Sequence, residues 1–121
     1  MNDHFATVIN LSETIKIYYK GEFFAESDNV VELKEQFRGK DLNPVLYFPR
    51  SILLGILIRK EETTTYCPIK GAASYWSYKD ANNCIWSYEE PIKEVSLIKG
   101  YYSFYEDKGF KIIRSQVFKP S

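Results

Sequence analysis

Short runs of β-branched and aromatic residues, each cut off within a few positions by Gly, Pro, Asn or Asp, leave this chain little to build but sheet. In residues 14–19, Ile15 and Ile17 alternate with Thr14, Lys16 and Tyr18. Lys20-Gly21 then supplies a two-residue turn before residues 22–26, so the segment reads as a β-hairpin. Ser27-Asp28-Asn29 is a turn cluster. Residues 30–37 read as a further strand, although their Glu and Lys content would also suit a helix. A loop holding Gly39, Asp41, Asn43 and Pro44 leads to a short strand over 45–48 that Pro49 stops. Residues 50–60 space Ile52, Leu53, Ile56 and Leu57 as a helix would, but Gly55 intervenes. The spacing predicts a short helical turn followed by a strand. Residues 72–78 and 84–88 form a second hairpin around a longer turn at 79–83. Pro91 opens a helical turn that runs through Val95 and Leu97 and ends at Lys99-Gly100. Residues 101–105 and 110–114 read as a third hairpin. Repeated antiparallel hairpins with one or two short helical turns predict an all-β fold, a compact sandwich or partly open barrel.

The chain has 121 residues, enough for one domain with its own core. The expected organisation is an N-terminal extension over 1–13, a single β domain over 14–115 and a tail over 116–121. Sixteen basic and sixteen acidic residues balance, and no basic run stands out, which argues against nucleic acid as a partner. The N-terminus has no basic segment followed by a long apolar one, so it does not read as a signal peptide. The longest apolar run, 52–58, falls far short of the ~20 residues that cross a bilayer. These features predict a cytoplasmic protein without a membrane partner. Cys67 and Cys84 cannot build a disulfide framework and should be reduced in that compartment, though a single bridge between them is conceivable. With His4, read as part of a frayed terminus, they are too few for a closed zinc site, so no metal and no cofactor is expected.

Residues 64–77 gather a thiol, an amine, hydroxyls and large aromatics around a glycine that lets backbone come close to a ligand. Cys67 becomes nucleophilic only as thiolate, which a neighbouring Lys70 ammonium would favour; a small buried hydrophobe is the alternative. Lys70 reads as an anion contact, as a Schiff-base amine if desolvated, or as a solvated loop residue. Arg50, at a strand end, suits a bidentate grip on a carboxylate or phosphate, or a salt bridge to Glu89 or Glu90. Trp76 and Trp86 fall on strands that the hairpin would make neighbours, so they flank a flat ligand or pack the core. Tyr47, Tyr88 and Tyr102 each bring a hydroxyl that needs a partner when buried, and Thr65 and Ser74 add smaller ones. Cys67 and Lys70 are therefore the catalytic candidates. Tyr47, Arg50, Thr65, Ser74, Trp76, Trp86, Tyr88 and Tyr102 are the ligand-binding ones, expected around one shared pocket.

The ordered set Gly21 with Ala25-Glu26-Ser27, Val45-Leu46-Tyr47-Phe48-Pro49-Arg50, Thr65-Tyr66-Cys67-Pro68-Ile69-Lys70-Gly71, Ala73-Ser74-Tyr75-Trp76-Ser77, Trp86-Ser87-Tyr88-Glu89-Glu90-Pro91 and Gly100-Tyr101 onward resembles the domain of unknown function 427 family, also labelled nucleotidyltransferase-like. The resemblance covers nearly all of 15–105 and implies a compact β fold similar to the tent-like Mss4 class, without implying an activity. Ser51-Ile52-Leu53 stands where an acidic pair usually follows the Phe-Pro-Arg element in that family. No Gly-Ser followed by Asp-x-Asp and no phosphate-binding glycine loop is present, so the residues do not support nucleotidyl transfer. The expected function is binding of a small anionic or flat metabolite, with or without catalysis. The competing expectation is a protein-interaction or structural module whose open sheet edge pairs with another chain, a homodimer included.

Overall fold

The period-two pattern of residues 15–19 is realised as a strand whose Ile15 and Ile17 are completely buried while Lys16 faces solvent. A computed structural model of the protein describes residues 3–115. The strands are β1 (His4–Asn10), β2 (Ile15–Tyr19), β3 (Glu22–Ser27), β4 (Val31–Phe37), β5 (Lys40–Asp41), β6 (Val45–Tyr47), β7 (Arg59–Cys67), β8 (Gly71–Tyr78), β9 (Ala81–Ser87), β10 (Tyr102–Phe104) and β11 (Phe110–Arg114). Short 3₁₀ turns occupy Arg50–Leu53, Lys93–Ile98 and Glu106–Lys108. Every ladder between these strands is antiparallel. They form three sheets: β1-β4-β5 with β6 also on β4, β10-β9-β8-β7, and β11-β2-β3. The fold is an all-β sandwich. Among the described residues no helix is long and apolar enough to cross a membrane.

The β7–β10 sheet is central. One of its faces joins β2, β3 and β11 around Ile15, Ile17, Phe24, Phe48, Trp76, Ile85 and Phe110. Its other face meets β1, β4 and β6 around Val31, Leu33, Tyr47, Ala73, Tyr75 and Tyr88. Consecutive residues serve opposite cores, as Tyr75 and Trp76 do, because successive side chains of a strand point to opposite sides. In the first core Phe24 meets the rings of Tyr78, Phe104 and Phe110 edge-on, at centroid separations of 5.1 to 5.6 Å.

The structure departs from the sequence reading in three places. The segment at the N-terminus is not frayed from His4 onward: β1 pairs with β4 over its full length, from His4 opposite Phe37 to Asn10 opposite Val31. The β8–β9 reversal is only Lys79-Asp80, since Tyr78 already pairs with Ala81. Asn82 and Asn83 are not turn residues here, and Asn83 instead takes a positive φ of 52° inside β9 with its N–H bonded to Ser77 Oγ. Finally, the expected third hairpin does not form. β10 pairs with β9, whereas β11 crosses to β2, because the 3₁₀ turn ends in left-handed Gly109 and carries Phe110 into the first core. The tail over 116–121 lies outside the described residues.

Gly71 joins the β7–β8 reversal to the segment after β9. Its φ is 111°, and a Cβ there would lie 3.2 Å from the Glu90 carbonyl oxygen and 3.5 Å from Pro91 Cα. Lys70 O accepts a hydrogen bond from Ile92 N across the same contact. Gly71→Ala therefore combines backbone strain with a clash against main chain and should destabilise the protein by more than about 1 kcal/mol. Urea unfolding measures this, and an unchanged midpoint would contradict the close approach.

Candidate functional site

The register of the central sheet sorts the sequence-predicted residues into two groups. Tyr75 pairs with Trp86 and Trp76 pairs with Ile85, so the two indoles occupy neighbouring strands but opposite faces. One shared pocket holding both, as the sequence suggested, does not exist.

On the face toward β4, Lys70 is not a solvated loop residue. Its Nζ donates to Glu35 Oε1 at 3.1 Å, and His4 Nε2 lies 2.6 Å from Glu35 Oε2. The Lys70 and Glu35 side chains retain only 14% and 15% of their exposure. Lys70 Nζ also sits 5.7 Å from the centre of the Tyr88 ring. Tyr47 and Tyr88, both buried, have phenol pKa values raised, by desolvation first; the Trp86 indole bonded to Tyr47 only partly opposes this. Thr65 Oγ1 and the Tyr75 hydroxyl are 2.7 Å apart, and Tyr105 is pushed up to about 12 by burial and then by its bond to Tyr75. Cys67 packs half-buried against this cluster as a free thiol, while Cys84 is sealed in the other core, where desolvation raises its pKa. This face is a polar network within a packed core, bonded except at the Tyr88 hydroxyl, which makes no hydrogen bond among the described residues. Its ammonium is engaged by a carboxylate, which leaves Lys70 poorly placed for the catalytic role the motif suggested.

On the opposite face the residues line an open cleft of about 280 Å³. The 3₁₀ turn after Pro49 places Arg50 at its mouth, and Trp76 and Tyr102 wall it with ring centroids 5.0 Å apart. Leu53, Ile56 and Ile58 complete the apolar side. Arg50 makes no side-chain hydrogen bond or ion pair among the described residues. The salt bridge to Glu89 or Glu90 that the sequence allowed is not formed: Glu89 Oε1 instead accepts from Ser74 Oγ at 2.7 Å and from Lys60 Nζ at 3.0 Å, and Glu90 lies 3.9 Å from Lys99. These bonds, Ser74's first, hold the Glu89 carboxyl below its ordinary pKa. Lys60 Nζ is 5.4 Å from the Trp76 ring centre. Burial raises the Tyr102 phenol, and the nearby Arg50 charge opposes that rise.

Thus Arg50, Ser74, Trp76 and Tyr102 come together, while Tyr47, Thr65, Cys67, Lys70, Trp86 and Tyr88 belong to the other face. Glu35, Lys60 and Ser87, the last a completely buried serine whose Oγ has no hydrogen-bond partner among the described residues, were missed. Glu35 could not be found without knowing that β4 lies against the Lys70 turn, whereas Ser87 follows from alternation once Trp86 is assigned to the other face.

The family model described as a domain of unknown function, number 427, with the short label NTP_transf_9, matches residues 7–115. The chain belongs to that family. Comparison with curated proteins gives no match. The match begins within β1 and ends after β11, so the domain of unknown function 427 spans all three sheets and both faces of the central one.

The Glu35 network makes an acid-stability prediction. Burial alone would raise the Glu35 pKa, but hydrogen bonds from His4 and Lys70 outweigh it and the net value is lowered. A carboxylate with a depressed folded-state pKa contributes stability that is present above its unfolded value and lost as pH falls through the folded one. Glu35→Gln should therefore flatten the acid limb of the stability profile below about pH 5. Lys70→Met removes the ammonium from a partly buried carboxylate and leaves it to His4, and should cost about 2 kcal/mol, below the range for fully sealed pairs. Chemical denaturation across pH checks both, and an acid limb identical in wild type and Glu35→Gln would contradict the coupling.

Proposed function

We propose that the protein binds a small anionic metabolite in the cleft at Arg50, and that it does so in the cytoplasm. The observation that carries this reading is a guanidinium without a bonded partner among the described residues, at the mouth of a concavity walled by an indole and a phenol. Such a group offers paired donors to a carboxylate or phosphate, and the aromatic wall lowers the local dielectric around the contact. The free thiols are consistent with a reducing compartment. The proposal is one of binding: Cys67 and Lys70 lie across the sheet from the cleft and contribute no covalent step to it.

Thermal unfolding against a panel of anionic metabolites tests this directly. A ligand at 100 times its Kd adds about 2.7 kcal/mol of stability. Arg50→Ala should abolish that gain and Lys70→Met should leave it intact, relative to each variant's own baseline. A panel without any stabilising anion would contradict the reading.

One observation favours a second reading, an interaction module. β7 is nine residues long and among the described residues bonds only to β8, which leaves its other edge open to them, with Tyr66 72% exposed beside it. A homodimer formed along this edge would appear in sedimentation equilibrium and be dissolved by Thr64→Pro. A concentration-independent monomer would remove this alternative.

A further inference from the structure

Three hydroxyls stand in a row across the central sheet, on the face of the Arg50 cleft. Ser74 pairs with Ser87 across β8 and β9, and Ser87 pairs with Tyr102 across β9 and β10. Directly opposed residues of an antiparallel ladder project to the same side with Cβ atoms about 5 Å apart. Ser74 is committed to Glu89. Ser87 is not committed: the residue is completely buried, and its Oγ has no hydrogen-bond partner among the described residues. Buried hydroxyls are ordinarily satisfied, so an unmet one directly across the ladder from Tyr102, which lines the cleft, marks a position that a bound group completes. The Tyr102 hydroxyl likewise makes no hydrogen bond among the described residues. Arg50, Ser87 and Tyr102 are therefore three unengaged donors on one side of one sheet.

The charge count and the shape narrow what fits them. Arg50 and Lys60 stand against the single carboxylate of Glu89, leaving one net positive charge, which one negative charge balances and a polyphosphate overwhelms. Glu89 is held ionised by Ser74 and Lys60, so it would repel a second anionic group. The volume of about 280 Å³ lies below the range that takes drug-sized ligands. Beyond Arg50 the lining is aliphatic, and the lip is too. Leu53, Leu54, Gly55 and Ile56 make a tight turn, with Ile56 N bonded to Leu53 O at 3.0 Å and Gly55 at φ 81°, as a type II turn requires. That turn holds Leu54 out with 80% of its surface exposed, and Leu57 follows at 83%.

Resting on the binding site proposed above, we infer that its ligand class is a small monocarboxylate with an apolar body, aryl or short branched acyl, and not a nucleotide. The carboxylate lies between the Arg50 guanidinium and the Ser87 and Tyr102 hydroxyls. The apolar body lies along Leu53, Ile56 and Ile58, with Leu54 folding over it.

Isothermal titration of the whole chain with benzoate, phenylacetate and isovalerate, against benzamide, inorganic phosphate and ATP, tests this. The three carboxylates should bind. Benzamide, phosphate and ATP should bind at least about tenfold more weakly, since each lacks the single charge or the apolar body. Ser87→Ala should weaken the carboxylates about tenfold while raising the melting temperature of the free protein, because it deletes an unsatisfied hydroxyl. A purely structural serine would not give those opposite signs. Leu54→Ser, at an exposed position that the fold does not depend on, should weaken phenylacetate more than acetate. Phosphate or ATP binding that depends on Arg50, without carboxylate binding, would overturn the ligand class and leave the site standing. Absence of any Arg50-dependent binding would overturn both.

Discussion

The hydrogen-bond register between β8 and β9 governs the rest of this molecule. Setting Tyr75 against Trp86 and Trp76 against Ile85 decides which aromatic side chains share a face, and a slip of one residue would exchange them. From that register follow the two cores, the placement of the Cys67–Lys70 motif beside β4, and the exposure of the Arg50 cleft on the far side. The Lys79-Asp80 turn and the Asn83 bulge, anchored through Ser77 Oγ, hold the register in place.

The two faces solve opposite problems with similar side chains. Toward β4 an ammonium, a carboxylate and an imidazole are brought inward and bonded to one another, and the Tyr75 and Tyr47 phenols are bonded to Thr65 and Trp86, which keeps the desolvation of these groups tolerable. Because Lys70 belongs to the β7–β8 reversal, Glu35 to β4 and His4 to β1, this network ties the N-terminal strand and the hairpin to one another. Toward the cleft the polar groups are incompletely bonded, although Trp76 and Tyr102 are themselves buried members of the first core. A cavity with unengaged donors is poor packing for stability alone, and that contrast between the faces is what the binding proposal rests on.

Much of the architecture was legible from local pattern. The Ile15/Ile17 alternation, the Lys20-Gly21 turn, the strand at 31–37 and the 3₁₀ turn after Pro49 needed no knowledge of distant segments. The failures share a cause. Phe110 enters the first core beside β2, and His4 reaches Glu35, through contacts between segments far apart in the chain, which periodicity does not encode. For the site, residue chemistry found Arg50, Ser74, Trp76 and Tyr102 but merged them with the Cys67 motif. Separating them required the register, which shifts at a bulge between Trp76 and Tyr78. Ser87 carried no compositional signal, because its interest lies in the absence of a partner.

The two tryptophans on opposite faces provide the most direct test of this account. Their indole N–H resonances report separately on the two sides of the central sheet, and titration with benzoate distinguishes them. The account predicts that the Trp76 signal moves in a saturable way while that of Trp86, bonded to Tyr47 on the other face, stays in place. Movement of Trp86 alone, or of neither signal, would contradict it.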